Sequence, residues 1–360
     1  MPHQPFPREF RAVPGNTFVL PEHRVVYVSA AKVGCTSLKW MVADLAGEDR
    51  DDIMGVASGM QSRLMTIHPG RNRFKHVTGV HKMDAAAVAE IRPDNGWFVF
   101  GALRDPWSRL WSAWQSKFLV RANRYVRNYR DEPFFPRVPT KPSDPVEDFA
   151  KFVELHPWTT DPRLIADLHF RPQVRALRPE EVPFTRIYDL RDFSTMTDDL
   201  HAHLRSVGKD QELFLPRANE TPLAMTREVM GGGVKEAIEE LFKEDFDAFG
   251  DRWDFEQLKF APDGWTPDAI SHAAYQTEAN DWIGHVWMSG KTWRSERDQL
   301  AKELERNTKQ TARLERRNRR LRKENQRLRA HGTTTDPLPR RLARAARSPR
   351  ATLARLRGRR

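Results

Sequence analysis

The stretch "VYVSAAKVGCTSLKW" (residues 26–40) decides the fold, because an apolar strand runs through a turn of small residues into a helix. Lys32 lies just before the expected helix, Gly34 allows close backbone approach, and Thr36 or Ser37 can cap the first turn. The first turn of a helix offers free backbone N–H groups and the positive end of the helix dipole. The segment therefore predicts a site that holds an anion.

This turn is not a Walker A loop, which would read G-x-x-x-x-G-K-[ST]. Lys32 precedes Gly34 here, and the first glycine of that pattern is missing. The order argues against an ATP-type phosphate loop, although the same physics of anion binding applies. A purely structural turn with a solvated Lys32 stays open as the alternative.

A second segment, "FVFGALRDPWSRLWSAWQSKF" (residues 98–118), repeats the change from strand to helix. Asp105 is a favourable N-cap, and Pro106 is a favourable first helical residue. Several aromatic residues recur at helical spacing and predict a buried face: Trp107, Trp111, Trp114 and Phe118.

Arg104 ends the strand of this segment, and Ser112 follows two helical turns later. A guanidinium group offers a planar fork of donors that suits phosphate. We therefore expect Arg104 and Ser112 to bind a second phosphate. The alternative is that Arg104 pairs with a nearby carboxylate and has a structural role.

Expected strands at residues 24–29, 96–103 and 185–188 alternate with helices. This order predicts the α/β class, with a P-loop-like parallel sheet flanked by helices. The helices are expected at residues 36–45, 84–91, 106–120, 146–155, 191–204 and 234–246. Residues 127–145 are rich in proline and charge, and they predict an exposed loop of the kind that shapes substrate sites.

The basic character of the chain belongs to its C-terminal part. Residues 291–360 contain 24 Lys and Arg against 7 Asp and Glu, whereas the whole 360-residue chain has a net charge of +11. The body is therefore mildly acidic, which disfavours a nucleic-acid-binding domain. Cys35 is the only cysteine, and neither a signal peptide nor an apolar run of about 18 residues is evident. We expect a cytoplasmic protein.

The C-terminal part has a seven-residue repeat. One series of residues recurs at every seventh position: Trp293, Leu300, Asn307, Leu314, Leu321 and Leu328. A second series lies four residues after members of the first: Leu304, Thr311, Asn318 and Asn325. The pattern predicts a C-terminal coiled-coil helix at residues 291–330 that forms a homodimer. A single exposed helix is the alternative. Residues 331–360 form a basic, Arg-rich tail, which we expect to be disordered. One expectation is that an anionic membrane surface attracts this tail and makes the protein peripheral at the membrane. The alternative is a solvated tail that only aids solubility or binds nucleic acid non-specifically.

The two motifs together resemble the carbohydrate sulfotransferases of sulfotransferase family 2. "AAKVGCTSLKW" is similar to that family's 5′-phosphosulfate loop, and "LRDPWSRLWSAWQSKF" is similar to its 3′-phosphate motif. Weaker similarities follow in family order: "LHFRPQ" (168–173), "IYDL" (187–190), "PRANETP" (216–222) and "LFKEDFDAFG" (241–250). The resemblance spans residues 24–255. Golgi members carry a membrane anchor and several cysteines, so we expect a soluble, bacterial relative, with residues 1–290 as its sulfotransferase domain.

The resemblance implies sulfuryl transfer from 3′-phosphoadenosine 5′-phosphosulfate (PAPS), without a metal, to a hydroxyl group of a carbohydrate or glycolipid acceptor. Lys32 would stabilise the charge that develops on the leaving phosphate. Residues of the turn and helix start would donate hydrogen bonds to the 5′-phosphate: Gly34, Cys35, Thr36 and Ser37. Arg104 and Ser112 would hold the 3′-phosphate.

A hydroxyl acceptor also calls for a general base. His81 is the expected base, because it lies 23 residues before Arg104, close to the catalytic histidine of uronyl-type relatives. His76 is the next candidate, and His68 is the third. Asp44 and Glu48 stay open as carboxylate bases. His169 in "LHFRPQ" is expected either to line the site or to be a packed histidine.

Two other functions stay open. An ATP- or GTP-dependent P-loop enzyme would need Mg²⁺ ligands and a regular Walker A loop. A non-catalytic coiled-coil scaffold is the other alternative, and the presence of Lys32, Arg104 and Ser112 argues against it.

Overall fold

The computed structural model describes residue 6 and residues 16–55, 62–218 and 221–330. Its sheet has the order β1–β2–β3–β4. These strands are β1 (Thr17–Leu20), β2 (Val25–Val28), β3 (Phe98–Leu103) and β4 (Arg186–Asp189). β2, β3 and β4 are parallel, and β1 runs antiparallel to β2 along the edge. The α/β class is confirmed, and the three expected strands are found, whereas β1 was not expected.

Helices surround this sheet. In chain order they are α1 (Cys35–Leu45), α2 (Arg50–Met54), α3 (Ile67–Gly70), α4 (Ala85–Ala89), α5 (Pro106–Trp114), α6 (Asn123–Tyr129), α7 (Ser143–Leu155), α8 (Pro157–Thr160), α9 (Pro162–Ile165), α10 (Gln173–Leu177), α11 (Phe193–Ser206), α12 (Val234–Leu241), α13 (Lys243–Phe249) and α14 (Pro267–Ala330). β2 and β3 are buried along their whole length, as expected for parallel strands covered on both faces.

Two of the expected helices are interrupted. The helix expected at residues 106–120 ends as an α-helix at Trp114 and continues as a π-helical turn, Gln115–Leu119. The helix expected at 234–246 divides into α12 and α13. The aromatic face of the first of these is buried as expected: Trp107, Trp111, Trp114 and Phe118.

Residues 127–145 are only partly the exposed loop that their composition predicts. α6 extends to Tyr129, and the Phe134 side chain is buried with its ring 5.8 Å from that of Phe118. Aromatic packing thus outweighs the local signal of proline and charge, and it fixes this segment to the core.

The parallel strands bring three chain segments to one edge of the sheet. Leu103 at the end of β3 pairs with Asp189 at the end of β4, and Val28 at the end of β2 pairs with Gly101. The residues that follow β2, β3 and β4 therefore lie side by side. In open α/β sheets, ligands bind beyond the carboxyl ends of the strands.

The chain divides into two units between Gly290 and Lys291, although α14 continues across this boundary. In the first unit, Thr277 Oγ1 on α14 donates to the Leu119 carbonyl at 2.9 Å. In the second unit, α14 extends to Ala330, and the expected basic tail at residues 331–360 lies outside the described residues. Across the described part of the chain, every helix is too short or too polar to cross a membrane.

Candidate active site

The turn that carries Lys32 has a left-handed backbone at two positions. Lys32 has φ +69° and Gly34 has φ +74°. A Cβ atom on Gly34 would lie 2.9 Å from a ring carbon of Phe193 and 3.1 Å from Cδ1 of Leu190. Glycine is therefore needed here both for the backbone conformation and for close packing against the residues that follow β4.

α1 begins at this turn without a side-chain cap. Gly34 is the N-cap residue, and no side chain hydrogen bonds to the first amide groups of the helix. Capping by Thr36 or Ser37 is thus not found, and the Thr36 hydroxyl instead forms a 3.0 Å hydrogen bond with His68 Nε2. An uncapped N-terminus leaves its first amide groups available to an anion.

The ammonium group of Lys32 is buried beside other cations. Nζ donates to Ser116 Oγ at 3.0 Å, and the side chain is 6% exposed. Burial lowers the pKa of Lys32 well below its usual value, and the positive charges of Lys117 and Arg104 lower it further. An anion arriving from solvent would offset both the lost hydration and the repulsion between these cations.

Two more buried lysines, Lys39 and Lys117, belong to the same cluster. Burial lowers the pKa of both ammonium groups. Lys39 Nζ donates to His68 Nδ1 at 3.2 Å, and Lys117 in the π-helical turn interacts electrostatically with Asp167. Among the described residues, no carboxylate lies within ion-pair distance of Lys32, Lys39 or Lys117. We call these three residues the lysine cluster.

Cys35 lies against this cluster. Its partly exposed thiol interacts electrostatically with all three lysines. The expected residues of the 5′-phosphosulfate loop are therefore brought together with the lysine cluster at the start of α1.

Arg104 joins the site from the end of β3, where its charge acts on Lys32. Burial lowers the pKa of Arg104, and the nearby carboxylates of Asp105 and Asp189 oppose that shift. Ser112 is buried on α5, four residues before the Ser116 that binds Lys32. No hydrogen bond joins Arg104 to Ser112 in the described structure.

The backbone of Arg104 is clamped by Gln173 from the "LHFRPQ" segment. Its N–H donates to Gln173 Oε1 at 3.0 Å, and Gln173 Nε2 donates to its carbonyl at 2.8 Å. Gln173 Nε2 also donates to Asp245 Oδ2 at 3.3 Å, and Asp245 Oδ1 accepts from Val174 N–H at 2.8 Å. Gln173 belongs to "LHFRPQ" and Asp245 to "LFKEDFDAFG". These two segments therefore have a structural role, because together they hold the backbone of Arg104 at the carboxyl end of β3.

Arg109 is a residue that the sequence analysis did not single out. Its buried guanidinium donates to the Ala31 carbonyl at 2.9 Å through Nε, and to the Arg171 and Leu168 carbonyls at 2.8 Å and 3.2 Å through Nη2. Burial lowers the pKa of Arg109 to about 10, so the side chain stays charged at neutral pH. In the sequence, only its position as the second arginine of "RDPWSR" could have pointed to it. In the structure, Arg109 connects the turn that carries Lys32, here called the lysine turn, to the "LHFRPQ" segment.

Of the three histidines proposed as the base, the structure brings His68 to the lysine cluster. Lys39 is always a donor, so His68 Nδ1 accepts and its Nε2 carries the proton that is donated to Thr36. Burial, followed by the charges of Lys39 and Lys117, lowers the pKa of His68 well below its usual value. Both ring nitrogens are occupied, so His68 orients the Thr36 hydroxyl.

His81 and His76 have other charged or cavity neighbours. Burial lowers the pKa of His81, and the charged neighbours that lower it further are Lys82 and Arg71, not the lysine cluster. His81 Nδ1 is buried without a hydrogen-bond partner. The exposed His76 lines a cavity together with Leu20. Leu20 pairs with Val25 at the start of β2, whereas Lys32 follows the end of that strand.

The two carboxylates that were left open as bases have structural partners. Glu48 accepts hydrogen bonds from the N–H groups of Lys75, His76 and Val77 at 2.7–2.9 Å. Asp44 accepts from Arg50 Nε at 3.1 Å. These contacts hold α1 to the segments around it.

His169 lies beside the lysine cluster, since Lys117 and Lys32 both act on its charge. Its Nδ1 is 2.6 Å from Asp167 Oδ1. Of the two readings left open for this residue, the structure thus favours a place in the site. As for metals, the described residues contain no cluster of three or more His, Cys, Asp or Glu side chains that could hold an ion.

The chain was compared with protein families, curated proteins and solved structures. No curated protein and no solved structure matches the chain. A family model does match: it is described as the sulfotransferase family and covers residues 15–250. That range is well over half of the 360 residues, and it contains the four strands, the lysine cluster, Arg104 and His169. The chain therefore belongs to the sulfotransferase family.

Proposed function

We propose that this protein transfers a sulfuryl group from PAPS to a hydroxyl group of a carbohydrate or glycolipid acceptor. The observation that carries the proposal is the lysine cluster, buried beside the uncapped N-terminus of α1 and without a carboxylate partner. Such a site suits a ligand with several negative charges. Family membership supports sulfuryl transfer in general. The resemblance of the two motifs to the carbohydrate sulfotransferases supports PAPS as the donor and a carbohydrate or glycolipid as the acceptor.

The donor supplies an activated sulfuryl group, whose bridging S–O bond breaks as the acceptor oxygen bonds to sulfur. In this proposal, Lys32 neutralises the negative charge that grows on the leaving 5′-phosphate oxygen. The amide groups at the start of α1, together with the Thr36 hydroxyl that His68 orients, bind the phosphate oxygens. Electrostatic stabilisation and positioning carry most of the catalysis in related phosphoryl transfers.

Arg104 and Ser112 are proposed to bind the 3′-phosphate. The Gln173 clamp fixes the backbone from which the Arg104 guanidinium extends. A backbone that is already fixed loses less conformational entropy when its side chain binds a phosphate. This contact would distinguish PAPS from ATP and GTP, which lack a 3′-phosphate.

A thermal-shift experiment with wild-type protein tests the donor. 3′,5′-ADP should raise the melting temperature in the presence of EDTA, whereas 5′-ADP and ATP with Mg²⁺ should have much smaller effects. A ligand at one hundred times its dissociation constant adds about 2.7 kcal/mol of stability. Stabilisation by ATP with Mg²⁺ but not by 3′,5′-ADP would instead favour the P-loop alternative.

Mass spectrometry tests the reaction and the acceptor. The protein is incubated with PAPS and a lipid and glycan extract, and products heavier by one SO₃ group are sought. A Lys32→Ala sample is the matched control. Products that carry the added group on amines or proteins only, and never on a carbohydrate or glycolipid, would contradict the proposed acceptor class.

Two further partners are proposed from the C-terminal part. A second copy of the chain would pair along residues 291–330, and an anionic membrane surface would attract the basic residues of 331–360. Dimerisation would bring two basic tails together and strengthen that attraction. Salt-sensitive co-sedimentation with anionic vesicles, compared with a protein ending at Gly290, tests the second idea.

A further inference from the structure

His169 and Asp167 form a pair with the geometry of a proton acceptor and its orienting carboxylate. His169 Nδ1 lies 2.6 Å from Asp167 Oδ1. A carboxylate can only accept, so Nδ1 carries the proton and Nε2 of the neutral ring is the acceptor. In the described structure no group hydrogen bonds to Nε2, and the His169 side chain is 31% exposed. The imidazole therefore presents an open lone pair to the site.

Asp167 is held in place by further contacts. Its Oδ2 accepts from the Tyr125 hydroxyl at 2.5 Å, and its Oδ1 also accepts from the His169 N–H at 3.0 Å. The Asp167 side chain is only 4% exposed, and Arg124 approaches it to 4.0 Å. Burial raises the pKa of Asp167, but the hydrogen bonds from His169 and Tyr125 outweigh burial and lower it, so Asp167 remains a carboxylate that can stabilise an imidazolium ion.

One side chain links this pair to the lysine turn. Arg109 donates to the carbonyls of Leu168 and Arg171 on either side of His169, and to the Ala31 carbonyl next to Lys32. A single buried guanidinium thus connects the segment of His169 to the turn that carries Lys32. By contrast, both ring nitrogens of His68 are occupied, and His81 does not interact electrostatically with the lysine cluster.

We propose that His169 Nε2 accepts the proton of the acceptor hydroxyl, with Asp167 as its positioning residue. This inference rests on the proposed sulfuryl transfer. As the acceptor oxygen bonds to sulfur, its O–H bond breaks and the proton moves to Nε2. The S–O bond to the 5′-phosphate breaks with its electron pair remaining on the phosphate oxygen beside Lys32. The proton on Nε2 then returns to solvent.

The surroundings of His169 keep its ring unprotonated before the donor binds. Burial, then Lys117 and Lys32, lower the pKa of His169 to about 3, while Asp167 opposes the shift. The titratable and charged groups that face it are Asp167, Tyr125, Arg124, Lys117, Lys32 and His68. The ring is therefore neutral at neutral pH. Bound phosphates would offset the lysine charges and raise this pKa, which makes the ring a stronger base when the donor is present.

Steady-state kinetics of His169→Asn test the proposal. We expect kcat to fall by about 10²–10⁴-fold, as for loss of a general base, while the dissociation constant for 3′,5′-ADP changes less than threefold. Asp167→Asn keeps the imidazole but removes its carboxylate, and should lower kcat by about 10²-fold or more. Tyr125→Phe removes one of several contacts to Asp167 and should have a smaller effect. His272→Ala, on the exposed face of α14, should match wild type.

The outcomes distinguish failure of the His169 role from failure of the proposed sulfuryl transfer. Active wild type together with His169→Asn within fivefold of it overturns the role of His169 alone, and a large loss confined to His81→Ala would move the role to His81. Wild type that neither binds 3′,5′-ADP nor transfers a sulfuryl group overturns the proposed function and this inference together.

A spectroscopic measurement on the wild-type protein reports on the imidazole directly. Nitrogen-15 NMR at pH 7, with the His169 signal assigned from its absence in His169→Gln, should show a neutral ring protonated at Nδ1. Added 3′,5′-ADP should shift its titration to higher pH. A ring protonated at Nε2, or a titration that the ligand does not move, would overturn the proposal.

Discussion

The guanidinium of Arg109 lies 2.9 Å from the carbonyl oxygen of Ala31 and thereby joins α5 to the lysine turn. The same side chain reaches the backbone of the segment that carries His169. One fully buried cation thus connects the turn that carries Lys32 to the segment that carries His169.

Arg109→Ala should therefore reduce both stability and donor binding. The substitution removes a fully buried guanidinium and leaves three carbonyl groups without their charged donor, and we expect a loss of roughly 3 kcal/mol or more in the free energy of unfolding. Urea unfolding measures it. Arg186→Ala is the control, because Arg186 is exposed and forms a surface ion pair with Asp199, for which about 1 kcal/mol or less is expected. Equal losses in the two variants would show that Arg109 has no special structural role.

Lys32→Ala should abolish most of the transfer activity. Removing a preorganised group that stabilises transition-state charge typically lowers kcat by about 10²–10³-fold. The substitution also removes repulsion from Lys117 and Arg104, so the protein itself should not become less stable. Initial rates with PAPS at saturation measure the effect, with the exposed Lys151→Ala as control. Activity within a few-fold of wild type would remove Lys32 from the proposed mechanism.

Arg104→Ala should mainly weaken donor binding. A 3′-phosphate contact is the same in the ground state and in the transition state, so the donor KM should rise while kcat changes little. One charged hydrogen bond corresponds to about 10- to 100-fold in affinity. Calorimetric titration with 3′,5′-ADP and with 5′-ADP gives a second test, because only the first affinity should fall. A collapse of kcat at unchanged KM would contradict the assignment.

The sequence was informative where local patterns determine structure. The turn from β2 into α1, the Asp105 N-cap and the aromatic face of α5 all follow from short-range rules, and the structure confirms them. β1 was missed because four residues at a sheet edge give little periodicity. The π-helical turn was missed because the pattern from Pro106 to Phe118 suits a continuous α-helix.

The site was harder to predict because it depends on long-range contacts. Distance along the chain from Arg104 favoured His81 as the base, but such a distance does not show which histidine folds against the lysines. His169 lies near them in a segment whose backbone Arg109 binds on both sides of the histidine, and this contact joins residues about 60 positions apart in the sequence. The pairing of Gln173 with the Arg104 backbone likewise joins residues far apart in the sequence.

Gly34→Ala should be more damaging than the same change at another left-handed glycine. Gly34 and Gly47 have φ +74° and +70°, so an alanine at either position costs about 1–2 kcal/mol of backbone strain. The added methyl group at Gly34 would also meet Phe193 at 2.9 Å, whereas at Gly47 it meets nothing within 4 Å. Overpacking adds about 1–3 kcal/mol.

Chemical denaturation of both glycine variants measures the difference. A larger loss at Gly34, accompanied by weaker 3′,5′-ADP binding, is the expected result, because the methyl group displaces the turn that precedes α1. Equal destabilisation of Gly34→Ala and Gly47→Ala would show that the contact with Phe193 relaxes without cost.

The exposed leucines of α14 lead to the last prediction. Leu300, Leu304, Leu314, Leu321 and Leu328 are between 44% and 69% exposed in the single chain. Leucines at coiled-coil spacing bury this surface when two helices pair, while Asn318 and Asn325 at the a positions would favour a dimer in one register.

Light scattering should therefore give the mass of a dimer for the full chain and of a monomer for a protein ending at Gly290. Replacing Leu314 and Leu321 by Lys should release the monomer. Replacing Ala312 and Gln326 by Lys adds the same charge on the outer face of the helix and should leave the dimer intact. A monomeric full chain, or equal effects of the two Lys pairs, would contradict pairing along this face.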